Sequence, residues 1–419
     1  MMELKNLILG FDFGEKESQI CCYDRTEKDA VSVSIRKGSA DAEFPTTLFK
    51  QPGADQWYPA VPEEQKNADG TDLTEVEKLY EICMNDASVR IEDVTYAPGE
   101  LLAVFLKAAL QAAGVIEPGL QIAGITVTTR KLTRAFVKNL RYAYELLGIP
   151  RGRAYLQEYT ESFYYHTLYQ KPELWSRKVG MFRFEENDVT FYSLSVNRRT
   201  KPVTVSIKEG KTRNLRESGS DRDRDFCSLI AESFENEIYS SVYMVGSGFD
   251  RSWARESVRL LCRNQRHVFG GNNLFARGAC FAAREKVEER SLKGYLFLGN
   301  DLVRHNIGME MVIAGSPAYY PMIQAGVNWY EAEKECELIL DGTEDLVFVV
   351  SDMESGKKNR YTMHLPGLPK RPSRTTRLHL KLEYDAPGSC RITAEDLGFG
   401  EMFPKSGKIW HETMGEASK

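Results

Sequence analysis

The stretch LILGFDFGEKESQICCYD, Leu7 to Asp24, decides how this chain is read. Leu7 to Leu9 is a short apolar strand, Asp12-Phe13-Gly14 ends it in a turn, and a second β-prone run begins at Gln19. Strand, turn, strand is the local expectation. An aspartate at a strand end can hold a hydrated metal, and a nearby glycine lets backbone N–H groups reach a phosphate without a Cβ in the way. The same pair also makes an ordinary hairpin turn. The downstream sequence has to separate the two.

With 419 residues, 42% hydrophobic and 27% charged, the chain is globular and long enough for two or three domains. A formal charge of −5 and a pI near 5.9 give no electrostatic reason to expect nucleic acid or an anionic membrane as partner. The apolar runs fall short of a bilayer span and no signal-peptide pattern precedes the first strand, so a soluble, cytoplasmic protein is expected. Eight cysteines without a C-x-x-C and six scattered histidines give no zinc spacing. Reduced thiols, no metal site, and satisfied structural roles for His166 and His267 follow.

A third strand is expected at Ser32 to Ile35, then an insertion rich in Pro, Gly and Asp over about residues 36–96. Pro98 opens a helix whose stripe is Leu101, Leu102, Phe105, Leu106 and Leu110, and Gly114 stops it. A buried strand at Ile122 to Thr128 and a helix over Lys131 to Leu147 suggest a crossover unit. Tyr155 to Glu161 reads as the opening of another helix, followed by strands at Lys178 to Phe184, Val189 to Val196 and Val203 to Ile207. Lys208 to Asp225 reads as a hydrophilic loop, with Asp225 capping the next helix. Helical periodicity fades beyond about Ser291. Short β runs take over, and Leu378, Leu380, Leu382 and Tyr384 alternate with polar residues, which marks a separate antiparallel β domain.

The order of these parts resembles the DnaK-type, seventy-kilodalton heat-shock chaperones of the actin-like ATPase superfamily. Gly10 to Gly14 is similar to that family's first phosphate loop, and Gly124 to Thr128 to its V-I-T-V-P strand. Gln157-Glu158-Tyr159-Thr160-Glu161 is similar to its N-E-P-T-A connection, Met244 to Phe249 to its V-G-G adenosine loop, and Ala276 to Cys280 to its G-A-A helix. In the β domain Ile307 to Met311 resembles the L-G-I-E-T strand, Leu365 to Pro369 the L-x-G-I-P-P turn, and Leu382 to Asp396 the long hairpin around D-A-x-G. The resemblance implies an α/β actin-like ATPase (ribonuclease H-like) two-lobed domain over 1–290, a peptide-binding antiparallel β-sandwich over 291–412, and a tail over 413–419. Candidate nucleotide-binding residues are Asp12, Gly14, Lys16, Gly246, Ser247 and Gly248. Candidate peptide-binding residues are Met309, Met311, Val312, Tyr319 and Tyr320, because pliable Met and flat aromatic surfaces suit varied extended ligands. These five also read as plain sandwich core.

The departures are equally informative. The family's second phosphate loop is D-L-G-G-G-T, whose aspartate helps hold metal and whose glycines surround the phosphates. The corresponding hairpin here reads Arg183-Phe184-Glu185-Glu186-Asn187-Asp188. At about 4 Å and an effective dielectric of about 20, one carboxylate against one phosphate charge costs on the order of 4 kcal/mol. Glu15 and Lys16 replace the two threonines of the first loop, and Glu63 falls where a phosphate-contacting lysine is expected, with Lys66 nearby but out of register. The lobe that clamps adenosine and the helical lid are expected to be absent. The leading expectation is therefore a chaperone-like binder of a peptide or protein client with a degenerate, non-hydrolysing ATPase domain and no cofactor. The alternatives are a slow Mg-ATPase using Asp12, with Lys16 or Lys66 replacing lost contacts, and a weak ATP or ADP binder without hydrolysis. A sugar or acetate kinase is disfavoured for want of a catalytic aspartate.

Overall fold

The computed structural model describes residues 6–36, 38–39, 41–60, 73–235, 237–353 and 355–415. It forms two units, residues 1–299 and 300–419. The first opens on an antiparallel meander of β1 (Leu7–Phe13), β2 (Glu17–Asp24) and β3 (Asp29–Val33), with β4 (Glu43–Pro45) also paired to β2. The inserted region carries a three-stranded sheet of β5 (Leu48–Lys50), β6 (Trp57–Tyr58) and β7 (Thr74–Val76), then α1 (Leu79–Cys83) and a hairpin of β8 (Val89–Ile91) and β9 (Val94–Tyr96). The chain then runs through α2 (Pro98–Ala112), α3 (Pro118–Gln121), β10 (Ile122–Thr129), α4 (Arg134–Leu146) and β11 (Ala154–Glu158). These complete a sheet of order β11-β10-β1-β2-β3, in which β1, β10 and β11 are parallel.

Local chemistry sets these helices. Pro98 needs no donor at the first turn of α2, and Glu100 accepts from the Ala97 N–H at 2.7 Å. Thr133 caps α4 by accepting from the Phe136 N–H at 3.1 Å. The apolar stripes then meet the sheet: Phe13 stacks on Phe136 at 5.6 Å and meets Phe105 edge-on at 5.8 Å. Such a pair gains about 1 kcal/mol beyond its area burial.

The second half of the unit repeats the plan. After α5 (Tyr159–Leu168), the strands β12 (Lys178–Glu185), β13 (Asp188–Asn197) and β14 (Val203–Asn214) form a meander. Next come α6 (Gly219–Ser233), β15 (Tyr239–Val245), α7 (Arg255–Leu261), β16 (His267–Gly270), α8 (Leu274–Val287) and β17 (Tyr295–Leu298). The order β16-β15-β12-β13-β14-β17 matches the first sheet strand for strand, with β12, β15 and β16 parallel and β17 added at the edge. Two lobes of one topology result.

Helix α5 packs on the second sheet through Phe163, Tyr164 and Leu168, while α8 packs on the first through Ala276, Cys280 and Ala283. The two helices meet where a Cβ on Gly278 would lie 2.0 Å from the Ser162 carbonyl oxygen. Overpacking of this kind costs up to about 3 kcal/mol, and alanine's better helix propensity returns about 1. Gly278→Ala is therefore expected to destabilise the unit by about 2 kcal/mol, read as a lowered denaturant midpoint.

Several expectations need correction. Residues 155–158 belong to β11 and not to a helix, because parallel pairing with β10 overrides their local preference. The expected loop at 208–225 is mostly ordered: β14 pairs with β13 as far as Asn214, and α6 begins at Gly219. Asp225 lies inside α6 and takes a bidentate pair from Arg216 at 2.8 Å instead of capping. The units divide after Gly299 and not after residue 290, since β17 still pairs with β14.

The second unit holds β18 (His305–Ile313), β19 (Ser316–Ile323), β20 (Glu333–Leu340), β21 (Asp345–Asp352), β22 (Lys358–His364), β23 (Thr376–Ala386), β24 (Ser389–Asp396) and β25 (Ile409–Gly415). They form two four-stranded antiparallel sheets, β19-β18-β21-β22 and β20-β23-β24-β25. Leu378, Leu380 and Leu382 are fully buried on alternate positions of β23, and Phe348 and Met363 supply the other sheet's buried face. β25 extends the fold into part of the expected tail at 413–419, because Thr413 to Gly415 pair with β24. Among the described residues no helix is long and apolar enough to cross a membrane.

Candidate functional site

The turn ending β1 and the turn between β12 and β13 face each other across a cleft of about 390 Å³ in the first unit. Asp12, Gly14, Lys16, Gly246 and Ser247, five of the residues singled out in the sequence, line it together. Gly248 is not in the lining; it packs against the Glu186 carbonyl, where a Cβ would sit 2.4 Å away. Gly246, at φ 102°, is needed because a Cβ there would lie 2.0 Å from the Phe184 carbonyl oxygen. This glycine thus serves backbone packing. Glu63 and Lys66 lie outside the described residues.

Asp12 is buried at the end of β1 and accepts a 2.8 Å hydrogen bond from Tyr159, the first residue of α5. Tyr159 in turn stacks on Phe275 of α8 at 3.8 Å. Burial, with Glu43 adding repulsion against the Tyr159 hydrogen bond, holds the Asp12 carboxyl up at about 7. Gln19 lies opposite Asp12 across β1 and β2, and Glu43 lies opposite Gln19 across β2 and β4, so the three share one face of the sheet. The Gln19 amide donates to Glu43 at 2.9 Å and to the Asn272 carbonyl at 3.0 Å. Burial, then the Glu17 charge, raises the Glu43 carboxyl above its ordinary range. Asn272 accepts from the Gly246 N–H at 2.9 Å, tying the β15 loop to the same wall.

The opposite wall is ionic. Lys16 pairs with Glu186, linking the two facing turns, and Glu185 receives Arg130 at 3.0 Å and Arg183 at 3.3 Å. Glu186 sits at φ 56°, a left-handed conformation that costs a non-glycine residue about 1–2 kcal/mol. Arg222 offsets that strain by donating to the Glu186 carbonyl and to Asn187, both at 2.6 Å. The turn combines a left-handed, glycine-like backbone with a side chain that carries a carboxylate. Of the residues lining the cleft, seven are carboxylic (Asp12, Glu15, Glu17, Glu43, Glu185, Glu186 and Asp188) against two cations, Lys16 and Arg183. This donor set does not suit hydrated magnesium with a triphosphate. Asp12 is engaged by Tyr159 and partly protonated near neutrality, and the other carboxylates of the lining oppose a polyanion.

Sequence reasoning missed Gln19, Glu43, Tyr159, Asn272 and Phe275 as site residues. Only the alternation that puts Glu17 and Gln19 on one face of β2 was visible beforehand. His166, expected to be satisfied, is buried and pushed down to about 3 by burial and the Arg277 charge, and its Nδ1 has no hydrogen-bond partner among the described residues. His267 is exposed beside Phe269.

In the second unit the five candidate peptide-binding residues lie on the β18–β19 hairpin but not on one face. Met309 is opposite Tyr320 and Met311 opposite Ala318, while Val312 is opposite Pro317 and Tyr319 opposite Glu310. Met309 is buried, whereas Val312 and Tyr319 are exposed at 70% and 48%.

Two family models match the chain. One, described as a domain of unknown function (DUF8552), covers residues 302–415, nearly the whole second unit. No curated protein matches the chain. The other covers residues 29–300, more than half the sequence, and so the chain belongs to the family described as "Family of unknown function (DUF5716) C-terminal".

Proposed function

We infer that this chain is a divergent, non-hydrolysing relative of the DnaK-type chaperones, with an actin-like first unit and a second unit that binds a peptide or protein client in the cytoplasm. The duplicated sheets with a cleft between them support the actin-like reading. The observation that carries the loss of hydrolysis is the Lys16–Glu186 pair, which joins the two turns that would have to part around a phosphate tail. Catalysis of phosphoryl transfer rests on positioning and metal-assisted charge stabilisation, and this wall supplies carboxylates instead. On the hairpin of β18 and β19, the exposed Val312 and Tyr319 offer the client surface.

The expected result is no phosphate release from Mg-ATP, no rise in melting temperature with ATP or ADP, and saturable binding of an unfolded polypeptide by fluorescence anisotropy, weakened by Val312→Asp. Phosphate release lost on Asp12→Ala would overturn the first half; absence of polypeptide binding at high micromolar concentration would overturn the second. Nucleotide binding without hydrolysis is the second reading, favoured by the gathering of Asp12, Gly14, Gly246 and Ser247 around one cleft. A melting temperature raised by ADP, with no turnover, would select it.

A further inference from the structure

The charges in the cleft are separated, and the separation is unbalanced at both ends. At one end Arg130 and Arg183 both lean on the single carboxylate of Glu185. Arg183 is more than nine-tenths buried and lines the cleft, and its Nε lies 3.3 Å from Glu185 Oε1 yet makes no hydrogen bond among the described residues. Its ring contact with Tyr192, at 5.3 Å, offers no acceptor in the plane of the guanidinium. A buried guanidinium with an unmade hydrogen bond favours an anionic acceptor with planar, two-oxygen geometry.

At the other end Asp12, Glu17 and Glu43 share one face of the β1, β2 and β4 strands, and no ion pair reaches any of them among the described residues. Tyr159 and Gln19 are their neutral partners. Carboxylates collected without a cation favour a cationic group between them. Lys16 and Glu186 cancel each other at the rim and do not alter this polarity. About 390 Å³ suits a small molecule.

We propose that the cleft binds a small zwitterion, an amino acid or short peptide in size, with its carboxylate on Arg183 and its ammonium group among Asp12, Glu17 and Glu43. The charges of such a ligand complete both ends at once, whereas a triphosphate meets the acidic end unpaired. The assignment rests on the proposed loss of triphosphate binding, and it gives the degenerate cleft a ligand of its own.

Calorimetric titration of the full chain, without magnesium, with glycine, β-alanine, γ-aminobutyrate and glycylglycine tests it, with acetate and ethylammonium as the two half-ligands. At least one zwitterion is expected to bind saturably and both half-ligands at least about tenfold more weakly, since a charge-assisted contact is lost in each. Arg183→Gln and the double variant Glu17→Gln/Glu43→Gln are each expected to weaken that zwitterion about tenfold or more. Arg183→Lys, which keeps the charge and the fold, is expected to retain part of the affinity. Lack of saturable binding by all four zwitterions, or binding that both sets of variants leave unchanged, overturns the proposal. Either result leaves the earlier reading intact, because that reading falls to phosphate release, to stabilisation by ATP or ADP, or to failed polypeptide binding.

Discussion

Replacing Asp396 with alanine is expected to cost about 3–5 kcal/mol, the usual penalty for stranding one member of a buried ion pair. Asp396 is fully buried at the end of β24 and takes a bidentate pair from Arg371 at 2.7 and 2.8 Å. It also accepts from the backbone N–H of Gly398 at 3.0 Å and of Ser406 at 2.9 Å. One carboxylate thus holds the 371 loop, the turn at 398 and the approach to β25. Burial pushes its pKa up, yet the hydrogen bonds from Arg371, Ser406 and Gly398 outweigh burial and hold the carboxyl well below the usual range. Its contribution is complete above the unfolded carboxyl pKa and is lost only as pH falls through the lower, native one. The alanine variant leaves the Arg371 side chain, 6% exposed, without its counter-charge. Hydrogen exchange read by mass spectrometry is expected to show β23 and β24 amides opening about a hundredfold faster or more, with the first unit unaffected. Unchanged protection of β24 would show that the loops hold without this carboxylate.

Asp12→Asn is expected to act in the opposite direction, increasingly as pH rises above about 4. The native carboxyl sits at about 7 against an ordinary 3.8, raised by burial and by Glu43 and partly restrained by the Tyr159 hydrogen bond. Between those two values the native state holds a proton that the unfolded state has released, so stability falls as pH rises and the loss is complete above about 7. About three pKa units at about 1.4 kcal/mol each make this a loss of roughly 4 kcal/mol. Other groups facing Asp12 are Tyr80 and Cys21, neither of which titrates in that window. The asparagine keeps an acceptor for Tyr159 and removes the titration. Urea unfolding is expected to give matching stabilities at pH 4 and a more stable variant, by about 4 kcal/mol, at pH 8. A less stable variant at pH 8 would show that the native carboxylate is compensated.

Much of the fold is legible in particular residues. Pro98 and its apolar stripe mark α2, Leu378 to Tyr384 mark β23, and Asp385 to Gly388 mark the turn into β24. The readings that failed, at 155–158 and 208–225, fell where a strand is made by its partner: Gln157 faces Thr128 and Arg213 faces Val189. Neither segment carries the β-branched alternation that would announce a strand alone.

The sequence by itself determined the strand and helix periods, the turn chemistry, and the acidic character of the turn Glu185-Glu186-Asn187-Asp188, because these are written in residues a few positions apart. Only the tertiary structure decided that Lys16 closes on Glu186, that Tyr159 reaches Asp12, and that the face of Met309 is buried while that of Val312 is exposed. The first two contacts join residues 170 and 147 positions apart. No local period encodes such distances; they exist only once the strands have assembled, the first between the facing turns of two sheets and the second between one sheet's end and helix α5.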